Sequence, residues 1–181
     1  MRKITSTVLI LLMSFSFFSF ANSADEKINE EKSAMDFYDG MSLNFFTGMF
    51  DFSDDKQSSV AFGMQHQDIE LFRKTSLGTL SPVTGFFFLP GSTASYIYTG
   101  VQAEYEIGRL KITPSFAPGF YEKGNGKDLG SPLEFKSEVQ MSFDFSKNNR
   151  LGMSYNHISN ASLGSKNPGA NSYMFNFLRQ F

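Results

Sequence analysis

The stretch Leu133–Phe145 keeps a strict two-residue rhythm, and that rhythm confines it to β-structure. Leu133, Phe135, Val139, Met141, Phe143 and Phe145 share one face with Ser137, whereas Glu134, Lys136, Glu138, Gln140, Ser142 and Asp144 occupy the other. Successive side chains of a strand point to opposite sides, so one side is oily and the other polar along the whole segment. A helical period of 3.6 would mix the two sets. The division recurs at 95–107, where Ile97, Thr99, Val101, Ala103, Tyr105 and Ile107 oppose Tyr96, Tyr98, Gln102, Glu104 and Glu106. It recurs again at 109–121, with Leu110, Ile112, Phe116 and Phe120 opposite Arg109, Lys111, Thr113 and Ser115.

Eight such segments can be collected, at 41–52, 58–66, 79–89, 95–107, 109–121, 132–145, 150–159 and 172–181. The first and third alternate poorly. Turn chemistry separates them: Ser53-Asp54-Asp55, Pro90-Gly91-Ser92, Gly108, the glycine-rich run 124–130, Lys147-Asn148-Asn149 and Asn167-Pro168-Gly169. No heptad and no long helical stripe interrupts the series.

The N-terminus follows different rules. Met1, Arg2 and Lys3 are a basic start, Ile4 to Phe20 are apolar apart from Ser and Thr, and Ala21-Asn22-Ser23-Ala24 are small residues before Asp25. This is the pattern of a secretory signal peptide, residues 1–24, with cleavage after Ala21, Ser23 or Ala24. Residues 25–38 are charged, lack alternation and read as a tail, leaving 39–181 for the folded domain. Removal of Arg2 and Lys3 lowers Lys and Arg from 16 to 14 against 18 Asp and Glu, a net charge of −4.

Mild acidity with scattered basic residues gives no footprint for nucleic acid. Zero cysteines exclude disulfides and thiolate metal sites, and two histidines are too few for a zinc centre. After the signal, no apolar run approaches the roughly 20 residues of a membrane helix. A β-barrel escapes that test, because only alternate residues face lipid and the mean hydropathy stays low. Strands of this length suit a tilted bilayer crossing, and an even count suits an outer-membrane barrel. The expected fold is therefore all-β, an eight-stranded antiparallel transmembrane β-barrel with an interior just filled by side chains. A soluble periplasmic binding barrel would also alternate. The chain end separates the two: Tyr173, Phe175, Phe177 and the terminal Phe181 resemble the C-terminal signature read by the barrel assembly machinery of the Gram-negative outer membrane.

With the start of the first strand periplasmic, external loops fall near 53–57, 90–94, 122–131 and 160–171. On the seventh segment, Leu151, Met153, Tyr155, His157 and Ser159 share one face, and three of the five are apolar or aromatic, so this face meets lipid. A histidine and a serine thus emerge together at the external interface. A serine hydroxyl is inert at neutral pH until a base takes its proton, and an imidazole suits that task. By spacing alone the pair reads more simply as interfacial polar residues. His66 lies on the lipid-facing side of the second segment near the periplasmic end, too distant to join His157. Glu104 and Glu106 with Arg109 and Lys111 read as an interior ion-pair network. Lys123 or Lys127 of the glycine-rich loop could touch a lipid head group.

The run His157-Ile158-Ser159-Asn160-Ala161, followed by Asn167-Pro168-Gly169, resembles the H-x-S-N-A motif and following loop of the lipid A 3-O-deacylase (PagL-type) family. Pro114 to Gly119 and the segment up to Leu133-Glu134-Phe135 are similar to acyloxyacyl hydrolase relatives; the likeness is specific over about 114–181. The resemblance implies an outer-membrane barrel with its active site on the outer surface, hydrolysing the ester-linked 3-O acyl chain of lipid A without cofactor or metal. It makes Ser159 the nucleophile, His157 its general base, and puts Asn160 and Asn167 at the oxyanion hole. The family has a Glu 14 residues after the histidine, where this chain has Asn171. A carboxylate orients the imidazole and stabilises its charged form; an amide oxygen does only the first. Two functions follow: a serine esterase with an Asn third member, or a structural or adhesive barrel that has lost its triad. Implied partners are lipopolysaccharide, outer-membrane lipids and the assembly machinery, with homodimerisation left open.

Overall fold

In the computed structural model the described residues are 41–54, 58–68, 73–75 and 78–181. The expected signal peptide, 1–24, and charged tail, 25–38, lie outside them. The eight segments become β1 (Met41–Phe50), β2 (Ser59–Asp68), β4 (Gly78–Leu89), β5 (Ala94–Ile107), β6 (Leu110–Glu122), β7 (Leu133–Ser146), β8 (Asn149–Ser159) and β9 (Ala170–Gln180). One short strand was not anticipated: among the described residues, β3 (Arg73–Thr75) pairs only with the start of β4. All pairings are antiparallel between sequence neighbours, and two further ladders, β1 with β9 and β2 with β4, close the ring. Closure gives each of the eight long strands a partner on both sides, and in lipid an unpaired backbone group would cost several kcal/mol.

The alternation turns one face of every long strand outward. Phe45, Phe86, Val101, Phe116, Val139 and Phe175 are among the exposed apolar residues of that belt. The first and third segments alternate poorly because Phe45-Phe46 and Phe86-Phe87-Phe88-Leu89 are apolar on both faces. Their outward members join the belt, while Phe46, Phe87 and Leu89 are buried inside.

The interior is accordingly layered and not uniformly polar. Towards the long loops it is filled by Phe50, Phe87, Tyr96, Leu129 and Ile158. Tyr96 and Tyr98 lie across Gly119 and Gly85, where an added Cβ would come within 2.6 Å of their rings or hydroxyls. The middle is a hydrogen-bonded polar layer. Lys136 pairs with Glu138 at 2.9 Å and sits 4.3 Å above the Tyr98 ring. Asn44 donates to Gln140 and Asn176 at 3.0 and 2.9 Å. Towards the short turns, Glu104 accepts from Lys111 at 3.4 Å and Arg150 at 2.9 Å, and Arg150 also reaches Asp144 at 3.0 Å. The expected ion-pair network is thus present with one change of member: Arg109 is exposed and donates to the Asp144 carbonyl, and Arg150, arriving from β8, takes its place.

Lys136 and Glu138 are each nearly sealed from solvent, so removing one strands the other. Lys136→Met should cost roughly 3–5 kcal/mol in urea unfolding from lipid vesicles, and Lys136→Met combined with Glu138→Leu should recover most of that loss.

Candidate active site

The loops at one end, after β1, β4, β6 and β8, converge. Asn125 N–H donates to the Ser92 carbonyl at 2.7 Å, and Asn160 Nδ2 donates to the carbonyls of Leu129 and Lys166, both at 2.8 Å. Asp128 accepts from Lys166 at 3.1 Å and Lys123 at 3.4 Å. These are the longer loops, the external ones in barrels of this class.

His157 and Asn171 are direct cross-strand partners of β8 and β9 on the lipid-facing side. Side chains so placed touch, and His157 Nδ1 lies 2.8 Å from Asn171 Oδ1. Asn171 Oδ1 also accepts from the Tyr155 hydroxyl at 2.8 Å. Below them on the same face Phe52, Tyr155 and Tyr173 form an aromatic cluster, Phe52 and Tyr173 with ring centroids 4.4 Å apart. Ser159 ends β8 on the His157 face, half-buried, opposite Phe135 of β7. Among the described residues, no hydrogen bond joins Ser159 to His157.

Just past Ser159, Ala161 and Ser162 both take positive φ, 52° and 63°, and Leu163 N–H donates back to the Asn160 carbonyl at 2.9 Å. Two left-handed residues inside such a bond make a tight turn of the I′ kind. The turn brings Asn167 back: its Oδ1 accepts from Asn160 N–H at 3.0 Å. The Asn160 side chain, by contrast, is fully buried and both its donated bonds go to loop carbonyls. Gly169, at φ 62°, passes beside the imidazole, where an added Cβ would lie 2.8 Å from His157 Cε1.

Residues remote in sequence complete the group. Asp51 is buried at the end of β1, and its Oδ1 accepts from Asn171 N–H at 3.4 Å and Ser53 Oγ at 3.3 Å. Its Oδ2 holds Lys127 at 2.5 Å, and Lys127 also reaches Asp54 at 3.6 Å. Lys127 is therefore committed to the protein and not to a head group. Asn171 Nδ2 donates to Ser53 Oγ at 3.4 Å. Asp51, Ser53, Tyr155 and Lys127 carried no motif that would have marked them. His66 stands opposite Leu43 and Thr84, towards the other end of the barrel, as expected. Among the described residues no cluster of three or more His, Asp or Glu could hold a metal.

The sequence profile of the lipid A 3-O-deacylase (PagL) family matches residues 51–179. The chain belongs to that family. The crystal structure of the outer membrane enzyme PagL superposes with TM-score 0.61 over 77% of this chain and 99% of its own, at 19% identity. A de novo designed transmembrane β-barrel superposes with TM-score 0.52 over 78% of this chain and 94% of its own, at 11% identity. No match was found among curated proteins. This PagL-family chain is thus an eight-stranded barrel of outer-membrane type, and its place is the outer membrane.

Two expectations follow for the PagL-family site. Gly169→Ala should cost about 1–2 kcal/mol for its left-handed backbone and displace the imidazole, visible in thermal unfolding and in the His157 ring resonances. Asp128 is held below its usual carboxylate range, first by Gly130 N–H and then by Lys166. That clasp is in place at neutral pH and is lost as pH falls through the lowered range. Asp128→Asn at pH 7 should therefore speed amide exchange at Gly130.

Proposed function

We propose that the chain is an outer-membrane serine esterase that removes the 3-O acyl chain of lipid A. The observation carrying this reading is the His157 imidazole, bonded through Nδ1 to the Asn171 side-chain oxygen on the lipid-facing wall, with Ser159 two residues further along the same face. An ester whose acyl chain lies in the outer leaflet would meet these groups without leaving the membrane.

In this mechanism Ser159 Oγ attacks the ester carbonyl while His157 Nε2 takes its proton. Collapse of the tetrahedral intermediate returns that proton to the leaving sugar oxygen, giving an acyl-serine and a free 3-hydroxyl. Water, activated by the same nitrogen, then releases the fatty acid and restores Ser159. The Ser159–His157 bond need not be formed in advance, since catalytic hydrogen bonds often tighten only once substrate is bound. Asn167 is the better placed of the two oxyanion candidates. Its Oδ1 is pinned by Asn160 N–H, which leaves Nδ2 free to donate to the developing oxyanion. Asn160 would serve through its hold on the loops.

The test is mass spectrometry of lipid A after incubation with the refolded barrel. One hydroxyacyl mass should be lost, and Ser159→Ala or His157→Ala should slow that loss by about 10³-fold or more. Asn171→Ala should fall steeply, whereas Asn171→Glu should hold or gain activity. Unchanged lipid A from demonstrably folded wild type would leave the non-enzymatic barrel as the function.

A further inference from the structure

We propose that Asp51 and Ser53 form a proton-directing clamp that fixes which end of the Asn171 amide faces His157, and so holds the imidazole in the tautomer a general base requires. The inference rests on the esterase reading for its kinetic consequence, but not for its structural one.

A carboxylate offers the same atom from either oxygen. A carboxamide does not: its oxygen accepts and its nitrogen donates. With Oδ1 towards His157, Nδ1 must carry the proton and Nε2 is left as a free base. With the amide turned over, Nδ2 would donate to Nδ1 and the proton would sit on Nε2, the wrong side for taking a proton from Ser159. An Asn third member therefore works only if something outside the pair sets its direction.

The geometry supplies that direction in one connected line. Asp51 is ion-paired with Lys127, and a carboxylate in such a pair offers only acceptors. Ser53 has a single hydroxyl proton, and it goes to Asp51 Oδ1 at 3.3 Å. Ser53 Oγ can then offer Asn171 only a lone pair, so the group facing it at 3.4 Å must be Nδ2. On the opposite side, the Tyr155 hydroxyl donates to Oδ1 at 2.8 Å. Asn171 N–H, bonded to the same Asp51 oxygen at 3.4 Å, fixes the backbone under the amide. The buried carboxylate thus determines, through one hydroxyl and one amide, where the proton on His157 sits. Asp51 and Ser53 are positioning residues and touch no substrate.

The chain has only two histidines, which makes the proton visible. In the full-length barrel carrying His66→Gln and labelled with ¹⁵N-histidine, ring nitrogen shifts measured above the imidazole titration range report the His157 tautomer directly. The Nδ1–H form is expected, with Ser53→Ala shifting population towards Nε2–H. An Nε2–H wild type, or a ratio that Ser53→Ala does not move, overturns the clamp; the wild-type spectrum alone decides the matter if Ser53→Ala does not fold. In lipid A turnover, Ser53→Ala should cut kcat ten-fold or more, bounded by the roughly 10⁴-fold loss of a wrong-tautomer histidine. In the Asn171→Glu background, where the third member has no direction to lose, that penalty should shrink several-fold. Equal penalties in both backgrounds also overturn the clamp. A tautomer shift in a barrel that does not deacylate lipid A would refute the esterase and leave the clamp standing.

Discussion

Everything at the site depends on the seam where β1 meets β9. A barrel in lipid must close because no water is present to satisfy an open edge. Here closure sets Met49 against Tyr173 and carries the chain on so that Phe52 N–H bonds the Asn171 carbonyl at 3.0 Å. Asp51 and Ser53 are delivered to Asn171 across a gap of about 120 residues by a constraint that concerns only backbone hydrogen bonds.

The two faces of the wall do different work. The inward face carries apolar packing near the loops, a polar layer in the middle and ion pairs near the turns. The outward face is mainly apolar, and His157, Ser159 and Asn171 interrupt it side by side at the loop end. Because those polar groups hang on adjacent, fully paired strands, their spacing is set by ladder geometry, and loop motion need not disturb it. The loops add the turn at Ala161 and Ser162 and the clasp through Asn160, which hold Asn167 and Gly169 against the same spot.

The alternation made the strands legible to within two residues at each described end, because burial against lipid or lumen imposes the same two-residue period on every crossing. The shared face of His157 and Ser159 was legible for the same reason, whereas Asn171 was marked only by the family resemblance, which has a Glu 14 residues after the histidine. Closure was legible as a principle, but its register was not, so Asp51 and Ser53 gave no signal. Arg150 in place of Arg109 is a similar case: neighbours along a hairpin can be read from the sequence, whereas groups meeting across the lumen depend on strand stagger. Lys127 read as a loop cation that could touch a lipid head group until the fold set a buried carboxylate beside it.

The contrast between an amide and a carboxylate at position 171 is one of symmetry. A glutamate there needs no help to present the right atom, so a chain carrying it is free to lose Ser53 or Asp51. A chain carrying asparagine is not. Under the proposed clamp the exchange is unequal: replacing a glutamate by asparagine would call on the serine and aspartate of the first loop, whereas the reverse replacement would not. In the proposed clamp, positions 51, 53 and 171 thus stand as one unit, three side chains sharing a task that a single carboxylate would perform alone.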